Sequence, residues 1–305
     1  MAEHPQFVWV DGKLTPWNEA TIHIMQLGTA GVSLVYEGIC AYWNAEAHRL
    51  FVFRLDAHLE RFAQSMRLMR MKQPFANREM QEAIVALLRA NGHTDDVYVR
   101  PFAFFEAEMF GSVPEGPTHV VLGTKSWASH LKSNKVLHAC VSSWARISDN
   151  VMPPRVKASS NYLNSRLAAE EAKRNGYDAA LLLNSNGKVA EAPGACLMIV
   201  RDGKIITPSV TSGILESITR ATLIQLCREV LHVEVIEREV DRTELYVAGE
   251  AFLCGTGAEI APIVSVDRLP LGDGNVGSLT QRVEDLYHDL VRGIDVRYSE
   301  WRTVV

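Results

Sequence analysis

Residues 157–184 read KASSNYLNSRLAAEEAKRNGYDAALLLN, and this stretch organises the second half of the chain. The run that follows Lys157 contains residues that cap helices, so it predicts a helix from about Ser160 to Asn175 that ends at Gly176. The apolar run AALLLN then predicts a strand. Lys157 is therefore expected at a strand-to-helix junction, where a cleft can form.

Upstream of this stretch, alternating apolar residues flank Asp11-Gly12 in FVWVDGKLTPW, which is the strongest short-range signal for a hairpin. Apolar residues recur at helical spacing from Asp56, and NREMQEAIVALLRANG predicts a further helix that ends at Gly92. The runs VYVRPFAFF and THVVLG predict strands.

Downstream, Asn186-Gly187 and Asp202-Gly203 predict hairpins, and a helix is expected to start near Ser217. Strands are predicted at VLHACVSSW, VEVIER, EAFLCG and PIVSV. The alternation is too irregular for a barrel of repeating strand–helix units. The fold class is therefore expected to be α+β, with β-sheets or a pseudobarrel flanked by helices.

The length of 305 residues favours two domains. A polar segment without clear periodicity, from Lys125 to Lys135, separates the two halves. We therefore predict a small N-terminal domain at 1–125, a linker at 126–136 and a larger C-terminal, cofactor-binding domain at 137–305.

The composition excludes several classes of protein. The net charge of -5 lacks the basic excess that is typical of nucleic-acid-binding domains. The N-terminal residues do not resemble a signal peptide, and no apolar window is long enough to cross a bilayer, so we expect a cytoplasmic protein without membrane partners. The five cysteines are scattered without a CxxC pair, which predicts reduced interior thiols and no metal site.

The chain contains four candidate chemical features: Lys157, Glu191 in VAEAPGACL, the helix start GILESITR (213–220) and the run GTGAE (255–259). Backbone N–H groups and hydroxyls at a helix start bind phosphate, and small residues at a strand end let N–H groups converge on an anion. Each feature also has an ordinary alternative: a solvated lysine, a solvated loop carboxylate, a plain helix cap and a plain turn.

The coexistence of these features is more specific than any one of them. A pyridoxal phosphate enzyme needs a lysine as imine partner, a counter-charge for the pyridine nitrogen and an anchor for the phosphate. The residues alone therefore favour pyridoxal 5'-phosphate as a cofactor hypothesis.

Several stretches resemble the fold-type-IV aminotransferases, and most closely their branched-chain amino acid aminotransferases. The resemblance extends over nearly the whole chain. Its most specific stretches are VYEGI (35–39), LERFAQS (59–65), KASSNYLNSRLAAEEAKRNGYD (157–178), GILESITR (213–220) and FLCGTGAEIAPI (252–263).

For the cofactor, the resemblance implies that Lys157 forms the Schiff base and moves protons, and that Glu191 pairs with the pyridine nitrogen. Tyr162 would hydrogen-bond the phenolic oxygen, and Leu215 would pack on the ring. The residues implied at the phosphate are Arg61, Ser217, Ile218, Thr219 and Thr256. Without the family match, Arg61 would be read as a helix-surface arginine.

The resemblance also implies a reaction. An amino group would move between a branched-chain or other hydrophobic L-amino acid and 2-oxoglutarate, in a homodimer or larger homo-oligomer. The residues implied at the substrate are Tyr36, Gly38, Tyr98, Arg100, Trp127, Thr256, Gly257 and Ala258. Tyr98 and Arg100 help receive carboxylates in branched-chain members, which favours an α-amino acid.

Other positions depart from the branched-chain pattern. Gly31 stands where an aromatic residue is expected, Tyr36 replaces a phenylalanine, Cys40 a basic residue and His130 a tyrosine, and Cys196 stands where asparagine is common. Tyr36 resembles the (R)-selective amine transaminases, so an (R)-amine or D-amino acid transaminase is the alternative. An aminodeoxychorismate-type lyase and a non-catalytic binding protein are further alternatives.

Overall fold

The computed structural model describes residues 4–106 and 116–305. These residues form two units, each with its own hydrophobic core. The first unit comprises the described residues up to Ala128, Val156–Ser160 and Leu290–Val305, and the second comprises Ser129–Arg155 and Asn161–Asp289.

This division differs from the domains predicted at 1–125 and 137–305, although the first crossing, after Ala128, lies within the predicted linker 126–136. Two later segments return to the first unit because their backbones pair with its strands. Ala158 bridges Val35, and residues 302–304 pair with residues 51–53. Such long-range pairing leaves no signal in local composition.

Helices and strands are numbered along the described chain. The helices are α1 (Leu27–Ser33), α2 (Leu55–Leu68), α3 (Asn77–Asn91), α4 (Tyr162–Arg174), α5 (Ile218–Glu229) and α6 (Ser278–Val291). The strands are β1 (Phe7–Val10), β2 (Lys13–Pro16), β3 (Val35–Tyr36), β4 (Ile39–Asn44), β5 (Arg49–Phe53), β6 (Val97–Phe105), β7 (Thr118–Ser126), β8 (Leu137–Ala145), β9 (Ala179–Leu183), β10 (Glu191–Ala192), β11 (Ala195–Arg201), β12 (Lys204–Thr207), β13 (Val235–Glu237), β14 (Glu250–Gly255), β15 (Glu259–Val266), β16 (Leu269–Pro270) and β17 (Arg302–Val304).

The first unit contains a sheet with the strand order β17-β5-β4-β6-β7-β1-β2, in which β3 also pairs with β6. Its described strand pairs are antiparallel. The predicted first hairpin is confirmed. Asp11 and Gly12 join β1 to β2 with φ angles of 45° and 96°, the positive values that a two-residue turn of this kind requires.

Helices α2 and α3 supply apolar side chains to the core of this unit. Leu59, Phe62 and Met66 of α2 are buried at the predicted helical spacing. In α3, Ile84 and Leu87 are fully buried. Burial of each large apolar side chain contributes about 1.5–3 kcal/mol, so these helices stabilise the sheet that carries the candidate residues.

The second unit contains a mixed sheet with the strand order β13-β12-β11-β14-β15-β8-β9. The pairs β12–β13, β8–β15 and β8–β9 are parallel, and the hairpin β11–β12 turns at Asp202 and Gly203 as predicted. Ala168 and Ala172 of α4 pack with Cys140, Ala180 and Leu182 of β8 and β9. The sheets with adjacent helices confirm the predicted α+β class.

The lengths of the helices and the burial of the cysteines bear on two expectations from the sequence, which concern membrane spans and interior thiols. In the part of the chain that the structure describes, every helix is too short or too polar to cross a bilayer. All five cysteines are buried and unbridged, as expected for interior thiols.

Replacing Gly92 by alanine is expected to lower the free energy of unfolding by about 1 kcal/mol, because Gly92 ends α3 with a φ of 61° and L-residues are strained there. Urea unfolding measures this. The control is Gly31→Ala, because Gly31 lies in α1 with no described atom within 4 Å of an added Cβ, and the variant should lose no stability. Equal losses in both variants would contradict the role given to Gly92.

Candidate active site

The backbone of Lys157 is fixed in the first unit by pairing with β3. Tyr36 N–H donates to the Lys157 carbonyl (2.9 Å), and Ser159 N–H donates to the Leu34 carbonyl (2.8 Å). The Lys157 N–H donates to the Ser65 hydroxyl (3.2 Å). Lys157 therefore lies on an extended segment added to a sheet edge, with a short helical turn between it and α4.

The side chain of Lys157 is half-buried next to an aromatic ring. Its Nζ lies 4.9 Å from the centre of the Tyr36 ring, and the Arg100 guanidinium carbon lies 4.7 Å from the same centre. Cations are attracted to the electron-rich face of such a ring. Tyr36 therefore brings the Lys157 amine and the Arg100 guanidinium to one ring, and the guanidinium suits binding of a carboxylate.

The predicted substrate residues of the first unit lie on strands β3 and β6 or directly beside strands β4 and β7. Tyr98 on β6 pairs with Cys40 on β4, and Tyr98 and Arg100 have the alternate spacing that places both on one face. A Cβ at Gly38 would overlap the Tyr98 hydroxyl, so any other residue there requires the Tyr98 ring to move. The ring centres of Tyr98 and Trp127 are 6.5 Å apart.

Arg61 belongs to a buried charged cluster that the sequence did not predict in full. Its Nε and Nη2 donate to the two oxygens of Glu37 (2.7 and 2.8 Å), and His58 Nδ1 lies 2.7 Å from Glu37 Oε2. Arg61 is buried, so the alternative of a helix-surface arginine is wrong. An acidic residue within the apolar run LVYEGIC was the available signal, because a buried carboxylate needs a partner.

The ionisation of this cluster follows from burial and charge. Burial alone raises the pKa of Glu37, but Arg61 and His58 outweigh it and hold that pKa far below its ordinary value. Burial lowers the pKa of His58, and the hydrogen bond to Glu37 does not reverse this. Glu37 is therefore an anion paired with Arg61, and a neutral His58 donates a further hydrogen bond.

In the second unit, Glu191 is buried on β10. Its Oε1 lies 2.7 Å from Arg146 Nη2, and its Oε2 accepts a hydrogen bond from the Leu215 N–H (3.1 Å). The alternative of a solvated loop carboxylate is therefore wrong. The structure brings the predicted residues Glu191 and Leu215 together and adds Arg146, which sequence reasoning missed.

The start of α5 has the geometry of an anion site. The Ser217 hydroxyl accepts a hydrogen bond from the Arg220 N–H (3.2 Å), which makes Ser217 the N-cap as predicted. The first N–H groups of a helix have no acceptor within the helix. Ile218 and Thr219 are buried in this first turn, so they lie where phosphate-binding residues are expected.

The run GTGAE forms the turn between β14 and β15. Thr256, Gly257 and Ala258 lie between Gly255 and Glu259, which pair directly. The fully buried Glu259 accepts hydrogen bonds from the Ser129 hydroxyl (2.8 Å) and from the N–H groups of His130 (2.5 Å) and Leu131 (3.2 Å). The Glu259 carboxylate was not predicted from the sequence. It fixes the segment that contains His130 against the turn between β14 and β15.

The turn that contains Thr256 and the residue Tyr162 are the remaining predicted parts of the second unit. A Cβ at Gly255 would lie 3.1 Å from the Gly194 carbonyl oxygen, so the turn that contains Thr256 approaches the loop after Glu191. Tyr162 is the half-buried first residue of α4.

Among the described residues, no group of three or more His, Cys, Asp or Glu side chains is arranged to hold a metal ion.

A sequence profile of the family described as "Amino-transferase class IV" matches residues 34–266. The chain belongs to the class IV aminotransferases. The match covers most of the chain and both units, and it confirms the resemblance and the fold-type-IV assignment made from the sequence.

Several relatives of this aminotransferase have names more specific than that of the family: they are named as branched-chain aminotransferases. A probable branched-chain-amino-acid aminotransferase of Aquifex aeolicus is 39% identical over 300 residues, which are 98% of this chain and 96% of the relative. The branched-chain amino acid aminotransferase from Thermobaculum terrenum, solved in its PLP form, is 48% identical over 99% of both chains, with a TM-score of 0.97. The branched-chain aminotransferase from Thermoproteus uzoniensis, solved with norvaline, is 38% identical over 98% of this chain and 99% of that chain, with a TM-score of 0.92.

Replacing Gly38 by alanine is expected to displace the Tyr98 ring and to lower the free energy of unfolding by about 1–3 kcal/mol, because the added methyl overlaps the hydroxyl. Urea unfolding measures the loss of stability, and the tryptophan fluorescence, to which Trp127 contributes as one of six tryptophans, reports the ring displacement. Gly123→Ala is the control, since Gly123 lies on β7 of the same sheet with open space around a Cβ. Wild-type stability and fluorescence in Gly38→Ala would contradict the assignment.

Replacing Glu37 by glutamine is expected to lower the free energy of unfolding at pH 7 by about 3–5 kcal/mol, because a buried Arg61 loses its counter-charge. The folded pKa of Glu37 is depressed, so its stabilisation is full above the unfolded pKa of about 4.3 and is lost at lower pH. The difference from wild type should therefore shrink as the pH falls from about 5 to about 2.

Chemical denaturation at several pH values tests this. The matched control is Glu82→Gln, because the ion pair of Glu82 with Arg78 is exposed and should contribute close to nothing. A Glu37→Gln difference that does not change with pH would refute the ionised pair.

Proposed function

We propose that this aminotransferase moves an amino group between a branched-chain or other hydrophobic L-amino acid and 2-oxoglutarate, with pyridoxal 5'-phosphate as cofactor. The observation that carries the proposal is the setting of Lys157, an amine on a paired backbone that shares the Tyr36 ring with Arg100. The relatives named for branched-chain amino acids support the substrate class.

The residues present fit this cofactor chemically. Lys157 offers a primary amine, Glu191 a buried carboxylate, and the start of α5 a set of N–H groups with the hydroxyls of Ser217 and Thr219. When bound, the cofactor supplies an electron-withdrawing ring that stabilises negative charge at the substrate α-carbon. The residues proposed to hold it are Lys157, Glu191, Arg61, Ser217, Ile218, Thr219, Thr256, Tyr162 and Leu215.

We propose the following roles for the protein groups. The Lys157 amine would hold the cofactor covalently; once the substrate amino group has displaced it, the free amine would take the proton from the substrate α-carbon and would return a proton in the second half of the reaction. Glu191 would supply the negative charge that pairs with the pyridine nitrogen. Glu37 orients Arg61, whose guanidinium binds the phosphate group.

Substrate recognition uses a second group of residues. Tyr98 and Arg100 bind carboxylate groups, and an arginine suits this because its planar fork matches two oxygens. The backbone of Gly257 and Ala258 offers N–H groups in a turn. The surface for the hydrophobic side chain of the substrate is formed by Tyr36, Gly38 and Trp127. Thr256 contributes to substrate binding from the turn that it shares with Gly257 and Ala258.

An (R)-amine or D-amino acid transaminase is the second candidate. Tyr36, which favours it, lies against both Lys157 and Arg100. Gly31, where an aromatic residue is expected, has no atom of residues 4–106 or 116–305 within 4 Å of a built Cβ, so the described part of the chain leaves space there. A more permissive substrate site would follow from these two positions.

We also propose a homodimer or larger homo-oligomer acting in the cytoplasm. Large apolar side chains are exposed along residues 22–32, and such patches mark interfaces in soluble proteins. They are Ile22, Ile24, Met25, Leu27 and Val32. The buried, unbridged cysteines agree with a reducing compartment.

Replacing Lys157 by alanine is expected to abolish the absorption band of bound cofactor at about 410–430 nm and to lower kcat roughly 10⁴-fold, because attachment and proton transfer both use Nζ. Absorption spectra measure the first effect, and steady-state turnover with L-leucine and 2-oxoglutarate measures the second. Lys173→Ala, at an exposed position of α4, is the control. An unchanged spectrum and turnover in Lys157→Ala would remove the proposed role.

The same spectra separate the alternatives. Loss of the band with D-alanine or (R)-1-phenylethylamine, but not with L-leucine, would favour the second candidate. Pyruvate formation without an amino acceptor would identify a lyase. A wild-type protein that binds no pyridoxal phosphate would be a non-catalytic binding protein.

A further inference from the structure

We infer that Arg146 is a positioning residue that acts through Glu191. Arg146 holds the Glu191 carboxylate charged and in a fixed orientation, so that a proton shared between this carboxylate and the cofactor stays on the pyridine nitrogen. This inference rests on the function proposed above. It gives a role to an arginine that no motif of the sequence marks.

Arg146 is fixed at several points. Its Nη2 lies 2.7 Å from Glu191 Oε1, and both side chains are more than nine-tenths buried. Its Nε donates to the Gly213 carbonyl (3.2 Å), and its backbone N–H donates to the Leu183 carbonyl (2.8 Å). The guanidinium therefore joins Glu191 to the loop before α5.

The other carboxylate oxygen is directed by that same loop. Glu191 Oε2 accepts a hydrogen bond from the Leu215 N–H (3.1 Å), and the Cys196 thiol lies 3.9 Å away. Leu215 follows Gly213 by two residues, so Arg146 supports Glu191 directly and also supports the segment that holds the second oxygen. The orientation of Glu191 thus depends on one arginine in two ways.

Charge gives this arrangement its chemical consequence. A carboxylate in contact with a ring nitrogen can hold the shared proton itself or leave it on the ring. A buried carboxylate remains anionic only when an opposite charge or several hydrogen bonds stabilise it. Arg146, which is always charged, stabilises the anion from the side of Oε1, so the proton stays on the ring nitrogen and the ring keeps its capacity to accept electrons.

A cavity next to Arg146 makes the inference testable by chemical rescue. Its volume is about 290 Å³, and its lining includes Arg146, Asp149, Arg155, Asn184, Thr211 and Gly213. Arg146 Nη1 is buried and has no hydrogen-bond acceptor among the described residues. A small guanidinium ion has space to replace a shortened side chain at this position.

The first experiment compares wild type, Arg146→Gln and Arg146→Lys, each loaded with pyridoxal phosphate that carries ¹⁵N in the ring. The ¹⁵N chemical shift reports whether the ring nitrogen is protonated. We expect a protonated ring in wild type and in Arg146→Lys, and a shift toward the unprotonated ring in Arg146→Gln. In Arg146→Gln, kcat should fall roughly 10–100-fold, the usual range for residues that support a primary ligand.

Arg155→Gln is the matched control. Arg155 lines the same cavity, but its partners are the partly exposed Asp149 and Glu216, so its loss should change neither the ¹⁵N shift nor kcat. A protonated ring in Arg146→Gln would overturn the inference, as would equal shifts in Arg155→Gln. Wild-type protein without bound cofactor would instead refute the proposed function, so the two failures are distinguishable.

The second experiment adds methylguanidinium to loaded Arg146→Ala. We expect the ¹⁵N shift to return toward the wild-type value and kcat to rise about 10-fold, while Arg155→Ala is unaffected. Loss of activity in Arg146→Ala with an unchanged ring shift would mean that Arg146 serves stability alone, and the inference would be wrong.

Discussion

The backbone pairing between β3 and residues 156–160 is the constraint on which the candidate chemistry of the first unit depends. It joins the Lys157 carbonyl to the Tyr36 N–H and the Ser159 N–H to the Leu34 carbonyl, although these residues are far apart in sequence. Because the backbone is already ordered, less conformational entropy remains to be lost when a ligand binds. The amine is thereby kept next to the Tyr36 ring.

Each unit also contains a buried glutamate that is compatible with its surroundings only because an arginine of the same unit faces it. Glu37 is paired with Arg61, and Glu191 with Arg146. Removing a carboxylate from water is costly unless such a partner is present. The pairs fix the direction of Arg61 and Glu191 before any ligand arrives, and fixed groups are what binding and catalysis require.

The features that could be predicted from the sequence are those set by local geometry. The turns at Asp11-Gly12 and Asp202-Gly203 and the helix end at Gly92 follow from positive φ angles that few residues adopt. The return of residues 156–160 to the first unit follows from pairing with a distant strand, and no local pattern encodes it. The same holds for Arg146 and Glu259, whose partners are remote in sequence.

The Cys196 thiol is a further neighbour of the Glu191 carboxylate. Burial, together with the charge of Glu191, raises the pKa of the Cys196 thiol well above its ordinary value, so the thiol stays protonated. A thiol is a weak hydrogen-bond donor, whereas the asparagine expected here would offer a stronger one. With only this weak donor at 3.9 Å, the orientation of Glu191 depends more heavily on Arg146 and the Leu215 N–H. Two backbone-anchored partners therefore fix the direction of the carboxylate, without a strong hydrogen-bond donor at position 196.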